Sequence, residues 1–208
     1  DTLTGQVGIA FIQSVITSKG YGGVGRSKEQ EIEDTVEQVS TFANDKIFVL
    51  KDLNISNDSS PEALRLYANA HADAIVANSV PDLRHELLIL RDVLNGTNEK
   101  GIDELKTLAQ VYLGTRDDVL KLPVPPLLVK EHMDLINVYH AMYKDIDSMT
   151  AAINDPMLSL VRLKRYEDDA KGLGLALQNM YKALEPYSSA FNKDDSAILF
   201  VAFSPNLQ

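Results

Sequence analysis

Two runs of heptad-spaced side chains, joined by a tight turn, constrain this chain more than any other feature of its sequence. Leu128, His132, Leu135, Tyr139, Met142, Ile146, Met149 and Ile153 follow one another at spacings of 4, 3, 4, 3, 4, 3 and 4. After "NDP", Leu163, Tyr166, Ala170, Leu173, Leu177, Met180, Leu184 and Tyr187 continue at 3, 4, 3, 4, 3, 4 and 3. Residues three and four apart share one face of an α-helix, so each run predicts an apolar seam along a helix. The pair predicts an antiparallel helical hairpin over Leu127–Asn154 and Pro156–Tyr187, packed along its length.

The rest of the chain is punctuated for helices. A first helix is expected from Thr2 to about Ser18, broken by the glycines of "KGYGGVG". The "SKEQ" of Ser27–Gln30 has a capping-box pattern, followed by Ile32, Val36, Val39 and Phe42 at helical spacing. Ser60 precedes Pro61 as N-cap and first helical residue, and Leu64, Ala68, His71 and Ile75 make one face of the helix that follows. Pro81 is expected to stop that helix and begin another carrying Leu83, Leu87, Leu90 and Leu94. A further helix is expected from about Ile102 to Leu122, with a break at Gly114. "KIFVLKDLNIS" and "AILFVAF" (Ala197–Phe203) read as strands or as extended packing on a helical body. The expectation is one all-α domain over 1–208, with an N-terminal helix pair (1–45) and a main bundle (60–208). It is a helical bundle of about six or seven helices around the hairpin, with room for a minor extended or two-stranded element.

Composition bounds the function. The 30 acidic against 20 basic residues give a net charge of −10, which repels a phosphate backbone and disfavours nucleic acid as a partner. The densest basic cluster, "RLKRY", runs directly into Glu167, Asp168 and Asp169 and reads as a mixed, solvated helix face. With no cysteine, disulfides, thiolate metal sites and thiol nucleophiles are excluded. The apolar run "VGIAFIQSVI" is about half the length of a membrane span. The start at Asp1 suggests a leader, anchor or further domain removed upstream. Asn-x-Ser/Thr sequons stand at Asn54, Asn57 and Asn95.

The stretch "EHMDLINVYHAMYKD" raises the question of a site, because it gathers histidines, carboxylates and tyrosines on one helix. Two histidines share a metal on a helix when they stand at i and i+4. His132 and His140 are eight residues apart, about 12 Å along the axis at 1.5 Å per residue. Glu-x-x-His, the pattern of di-iron bundles, is absent; only His85 has a carboxylate three residues before it, Asp82. His132 falls on the seam, where a half-buried imidazole bonded to a carbonyl or a facing tyrosine is the simpler reading. His71 sits on a small-residue face that lets another element approach closely. The weak metal candidates are therefore His71, His85, His132 and His140, which could converge only from separate helices. "GYGGVG" lacks the strand–turn–helix setting of a phosphate cradle, and neither a Walker lysine nor a G-x-S-x-G elbow occurs. No catalytic residue and no cofactor is expected.

Five segments taken in order carry a resemblance: "KDLNISNDSSPEALRLYANA", "ELLILRDVLNG", "LKLPVPPLLVKEHMDLINVYHAM", "NDPMLSLVRLKRYEDDAKGLGLALQNM" and "YSSAFNKDDSAILF". From about Leu50 onward the chain resembles a family of helical proteins from candidate-phyla (ultrasmall) bacteria. The resemblance rests on the Pro-rich helix start with its following His132, the Asp155–Pro156 start and the tyrosine of "KRYEDDA". It implies an all-helical module outside the cytoplasm, secreted or membrane-anchored through a segment outside this chain, and brings no known activity. The expected function is non-enzymatic: binding a protein partner or supporting cell-envelope machinery, with a homodimer compatible with the heptads. The alternatives are a histidine-based metal- or cofactor-binding bundle, or a membrane-active, toxin-like protein inserting "GIAFIQSVI" and "AILFVAF".

Overall fold

The structure, a computed structural model, describes residues 9, 12, 13, 16 and 45–205. The chain is all-α. Among the described residues, five α-helices carry the fold: α1 Pro61–Asn78, α2 Glu86–Leu94, α3 Gly101–Val119, α4 Val129–Met149 and α5 Pro156–Leu184. Short 3-10 turns occupy Leu50–Asp52, Pro126–Leu128, Glu185–Ala190 and Ser196–Phe203. Of the first expected helix, Ile9, Ile12, Gln13 and Ile16 are described and helical; its other residues lie outside the described ones. The glycine loop, the Ser27 capping box and the Ile32–Phe42 helix also lie outside them.

Two compact units make up the chain. One holds Asp82–Ala109 and Tyr143–Glu167 with the described residues before Ile47. The other holds Ile47–Pro81, Gln110–Met142 and the described residues from Asp168 onward. The first unit buries Ile89, Leu90, Leu105, Ile146, Met149, Leu160 and Leu163. Arg162 lies there with 5% of its surface exposed, and its guanidinium grips both oxygens of Asp45, one at 2.6 Å; Arg165 adds a contact to Asp45 at 3.3 Å. The "RLKRY" cluster is thus not a solvated face: the planar fork of Arg162 is spent on a carboxylate more than a hundred residues away in sequence. The Tyr166 hydroxyl donates to the carboxylate of buried Glu86 in the same unit.

The second unit is built on one face of α1. Ser60 caps the helix by accepting the Ala63 N–H at 3.2 Å, and Pro61 stands at the first turn, where its missing donor costs nothing. Leu64, Tyr67, Ala68, His71 and Ala72 are buried at helical spacing. Leu64, Tyr67, Ala68 and Ala72 join Leu128, Leu135 and Tyr139 of the first seam and Ala176, Leu177, Met180 and Leu184 of α5 in one apolar core. The parts of both heptad runs that lie in this unit therefore face its core. Ile153, expected to close the first seam, falls in the Thr150–Asp155 turn and is 45% exposed.

Three expectations are corrected. Helix α2 begins at Glu86 rather than at Pro81, because Asp82 takes a left-handed φ of 60° that a helix does not admit. Helix α3 runs through Gly114 unbroken; a Cβ there would meet the Asn78 side chain at 2.0 Å, so the glycine serves close approach rather than interruption. "AILFVAF" is no strand. It lies in the 3-10 run Ser196–Phe203, whose threefold period turns Ala197 and Phe200 inward together. The extended piece of the first half instead meets the Pro-rich segment. Ser56 N–H donates to Val124 O at 2.9 Å and Val124 N–H to Asn54 O at 2.7 Å, a single parallel bridge at Ile55.

Candidate functional site

The second unit gathers two of the four histidines. His71 on α1 and His132 on α4 are fully buried, and the hydroxyl of Tyr67 lies between them, 2.7 Å from His132 Nδ1 and 3.2 Å from His71 Nδ1. On its other side, His71 Nε2 lies 3.2 Å from the Tyr139 hydroxyl. The local reasons are plain in the sequence register. Tyr67 and His71 stand four apart on α1, so both project onto its buried face, and His132 and Tyr139 are both seam positions of α4. The Phe200 ring packs edge-on against His71 with centroids 5.5 Å apart.

A phenol has one proton, so Tyr67 donates to one Nδ1 and accepts from the other, which must carry N–H. Tyr139, His71, Tyr67 and His132 therefore form one directed chain of hydrogen bonds ending at His132 Nε2. That nitrogen is buried with no hydrogen-bond partner among the described residues. Burial in the apolar core, with His132 nearby, pushes the His71 imidazole down to about 3, and burial pushes His132 down to about 4. Burial also raises both phenols, Tyr67 well above its usual 10. At neutral pH all four groups are uncharged. His71 and His132 have no exposed surface, and both tyrosines are 4% exposed.

The other two histidines have other partners. His140 Nδ1 accepts a hydrogen bond from Arg116 Nη1 at 2.6 Å, beside the Phe48 ring, which Arg116 overlies at 5.6 Å. His85 is exposed and caps α2, its Nδ1 accepting the Leu87 N–H at 3.2 Å. Among the described residues no group of three or more histidine, cysteine or acidic side chains is placed to hold a metal. The facing tyrosine expected for His132 is Tyr67, which stands four residues before His71 on α1.

Two clefts open on the same unit. One, of about 390 Å³, runs between the α1 residues Ala63, Leu66 and Ala70 and the Leu122–Pro125 segment, with Tyr67 in its lining. The other, of about 260 Å³, lies at the end of α5 beside the Ser196–Phe203 turn. Arg65 and Asn69 of α1 hold that turn in place. Arg65 Nη1 reaches Asp195 at 2.8 Å, Asn69 Nδ2 reaches the same oxygen at 2.9 Å, and Asn69 Oδ1 accepts the Ala197 N–H at 2.9 Å. No family model, no curated protein and no solved structure matches this chain.

Proposed function

We propose that the protein is a non-enzymatic helical module acting outside the cytoplasm, where it binds a protein partner through the cleft between α1 and the Pro-rich segment. One observation carries the reading: an apolar wall of α1 stands open, while the imidazoles of His71 and His132 in the same unit are buried and neutral. Ala63, Leu66 and Ala70 recur at i, i+3 and i+7 along α1, and Leu66 is 56% exposed. Pro123 and Pro125 form the opposite wall, rigid and short of backbone donors. Such a groove takes the apolar face of a helix. The net charge of −10 and Asp58 on the rim favour a helix with basic flanks. The cysteine-free composition suits an oxidising exterior.

The test is a photo-crosslinker at Ala63, used in cells and then with the purified partner. A basic helical protein should be captured, and Leu66→Glu should weaken its binding at least tenfold, ~1.4 kcal/mol, with helicity unchanged. Capture that survives Leu66→Glu, or capture of only a second copy of this chain, would overturn the reading.

A further inference from the structure

We infer that the Ser196–Phe203 turn is an acid-released strap: it covers His71 on α1, and protonation of that imidazole favours its lifting, which bares the apolar Ala197 and Phe200. The strap is tied to α1 at its start and again at Phe200. At the start, Arg65 and Asn69 hold Asp195, and the Ala197 N–H donates to Asn69 Oδ1 at 2.9 Å. Further along, the Phe200 ring stands edge-on to the His71 ring with centroids 5.5 Å apart. The strap's backbone is 3-10, with poorer hydrogen bonds than an α-helix, and its Ile198 and Val201 are already exposed. Lifting it breaks these few contacts. Parting α1 from α4 would break the Tyr67–His132 and His71–Tyr139 bonds and the core around them. Local opening takes the less costly route, so the strap is the way water reaches His71.

His71 makes that opening depend on pH. Facing it are Tyr67 of its own helix, His132 and Tyr139 of α4 and the Phe200 ring of the strap. Tyr112 of α3 acts on Tyr139 through its charge, and Glu131 of α4 on Tyr67. Tyr181 and Tyr187 pack against the same core, where α5 otherwise contributes aliphatic side chains. Burial, with His132 nearby, holds the covered imidazole down at about 3, and hydration returns it toward 6.5. The uncovered form therefore takes up a proton as pH falls below 6.5, and the opening equilibrium rises roughly tenfold per pH unit until about 3. The lifted form is a minor excursion, and the closed form keeps His71 neutral. The carboxylates are not the sensor. Asp195 is held below its ordinary range by the Asn192 N–H first, then by Asn69 and Arg65, and Glu62 is held down by Arg65. Both stay charged through this window.

Amide hydrogen exchange at Ala197, corrected for the chemical exchange rate at each pH, reads the opening directly. From about pH 7.5 to about pH 4.5 its protection should fall about a hundredfold, the slope of one proton. The Tyr139 amide, which waits for unfolding of the unit, should be better protected at the upper pH and fall with the slope of both imidazoles. His132→Leu should keep the one-proton slope at Ala197, and His71→Leu should abolish it. Asp195→Asn, in which Arg65 keeps Glu62, should raise the opening about threefold at every pH with the slope unchanged. His132→Leu and Asp195→Asn decide the matter even where His71→Leu fails to fold. Ala197 protection that is flat with pH, a two-proton slope shared with Tyr139, or a slope lost in His132→Leu or Asp195→Asn would each overturn the proposal.

Discussion

Replacing Tyr67 by Phe removes one oxygen and almost no volume, so it isolates the hydrogen bonds of the buried chain from packing. The hydroxyl stands 2.7 Å and 3.2 Å from two imidazole nitrogens whose residues have no exposed surface. Without it both Nδ1 atoms lose their partner inside the core. Each buried polar atom left unpaired costs about 1–3 kcal/mol, so Tyr67→Phe should destabilise by about 3 kcal/mol. Tyr139→Phe, which orphans only His71 Nε2, should cost about half as much. Urea unfolding followed by circular dichroism reads the difference; at a slope of ~2 kcal/mol per molar, the Tyr67→Phe midpoint falls by about 1.5 M. Adding His132→Leu to Tyr67→Phe should recover part of that loss, because it removes an imidazole that would otherwise be buried and unpaired. A Tyr67→Phe protein within 0.5 kcal/mol of the parent would refute the bridging role, and a more stable one would do so more strongly.

Acid should weaken the fold through the same imidazoles. His71 and His132 have folded values of about 3 and about 4, below the 6.5 of an unfolded chain. The unfolded state therefore takes up protons first as pH falls below 6.5, and stability drains until the folded values are reached. At pH 5 the loss is about 2 kcal/mol per imidazole relative to pH 8, and a His71→Leu, His132→Leu double variant should lack that dependence when melted across this range. Leu177→Asp places an unpaired charge in the α5 seam and should unfold the second unit, seen as loss of helical ellipticity; a soluble variant melting cooperatively with parental helicity would show the seam assignment is wrong. Asn137→Ala removes both bonds to the Phe48 backbone, Phe48 N–H to Oδ1 at 2.8 Å and Nδ2 to Phe48 O at 3.1 Å, and should cost about 1–2 kcal/mol. Amide exchange at Phe48 should accelerate in that variant while α1 amides hold.

The helices were legible in the sequence wherever a local rule decides them. Ser60 with Pro61 fixed the start of α1, and the 4-3 spacing marked α4 and α5 because a seam must repeat each turn to stay buried. What escaped is long-range and polar. Nothing near Asn137 signals that its amide will pair with the backbone of Phe48, and nothing near Arg162 points to Asp45. Such partners meet only when the chain is folded, and hydrogen-bonding side chains carry no periodicity. "AILFVAF" misled for a different reason: its uniform apolarity fits a strand, while the threefold register of a 3-10 turn decides which residues go inside. The histidine chain was half legible. His71 and His132 fall on a buried face and a seam by spacing alone, and Tyr67 stands four before His71, but that its hydroxyl joins the two imidazoles depends on α1 facing α4.

The central claim is that His71 and His132 are sealed, neutral members of a structural hydrogen-bond chain rather than ligands or bases. Long-range proton–nitrogen NMR of the imidazoles tests it most directly, recorded from pH 8 to pH 5 and again with zinc added. The account predicts two imidazoles that keep the neutral pattern throughout and do not respond to zinc. Titration of either near 6.5, or a zinc-induced shift of their ring nitrogens, would contradict it and move the pair from scaffold to site.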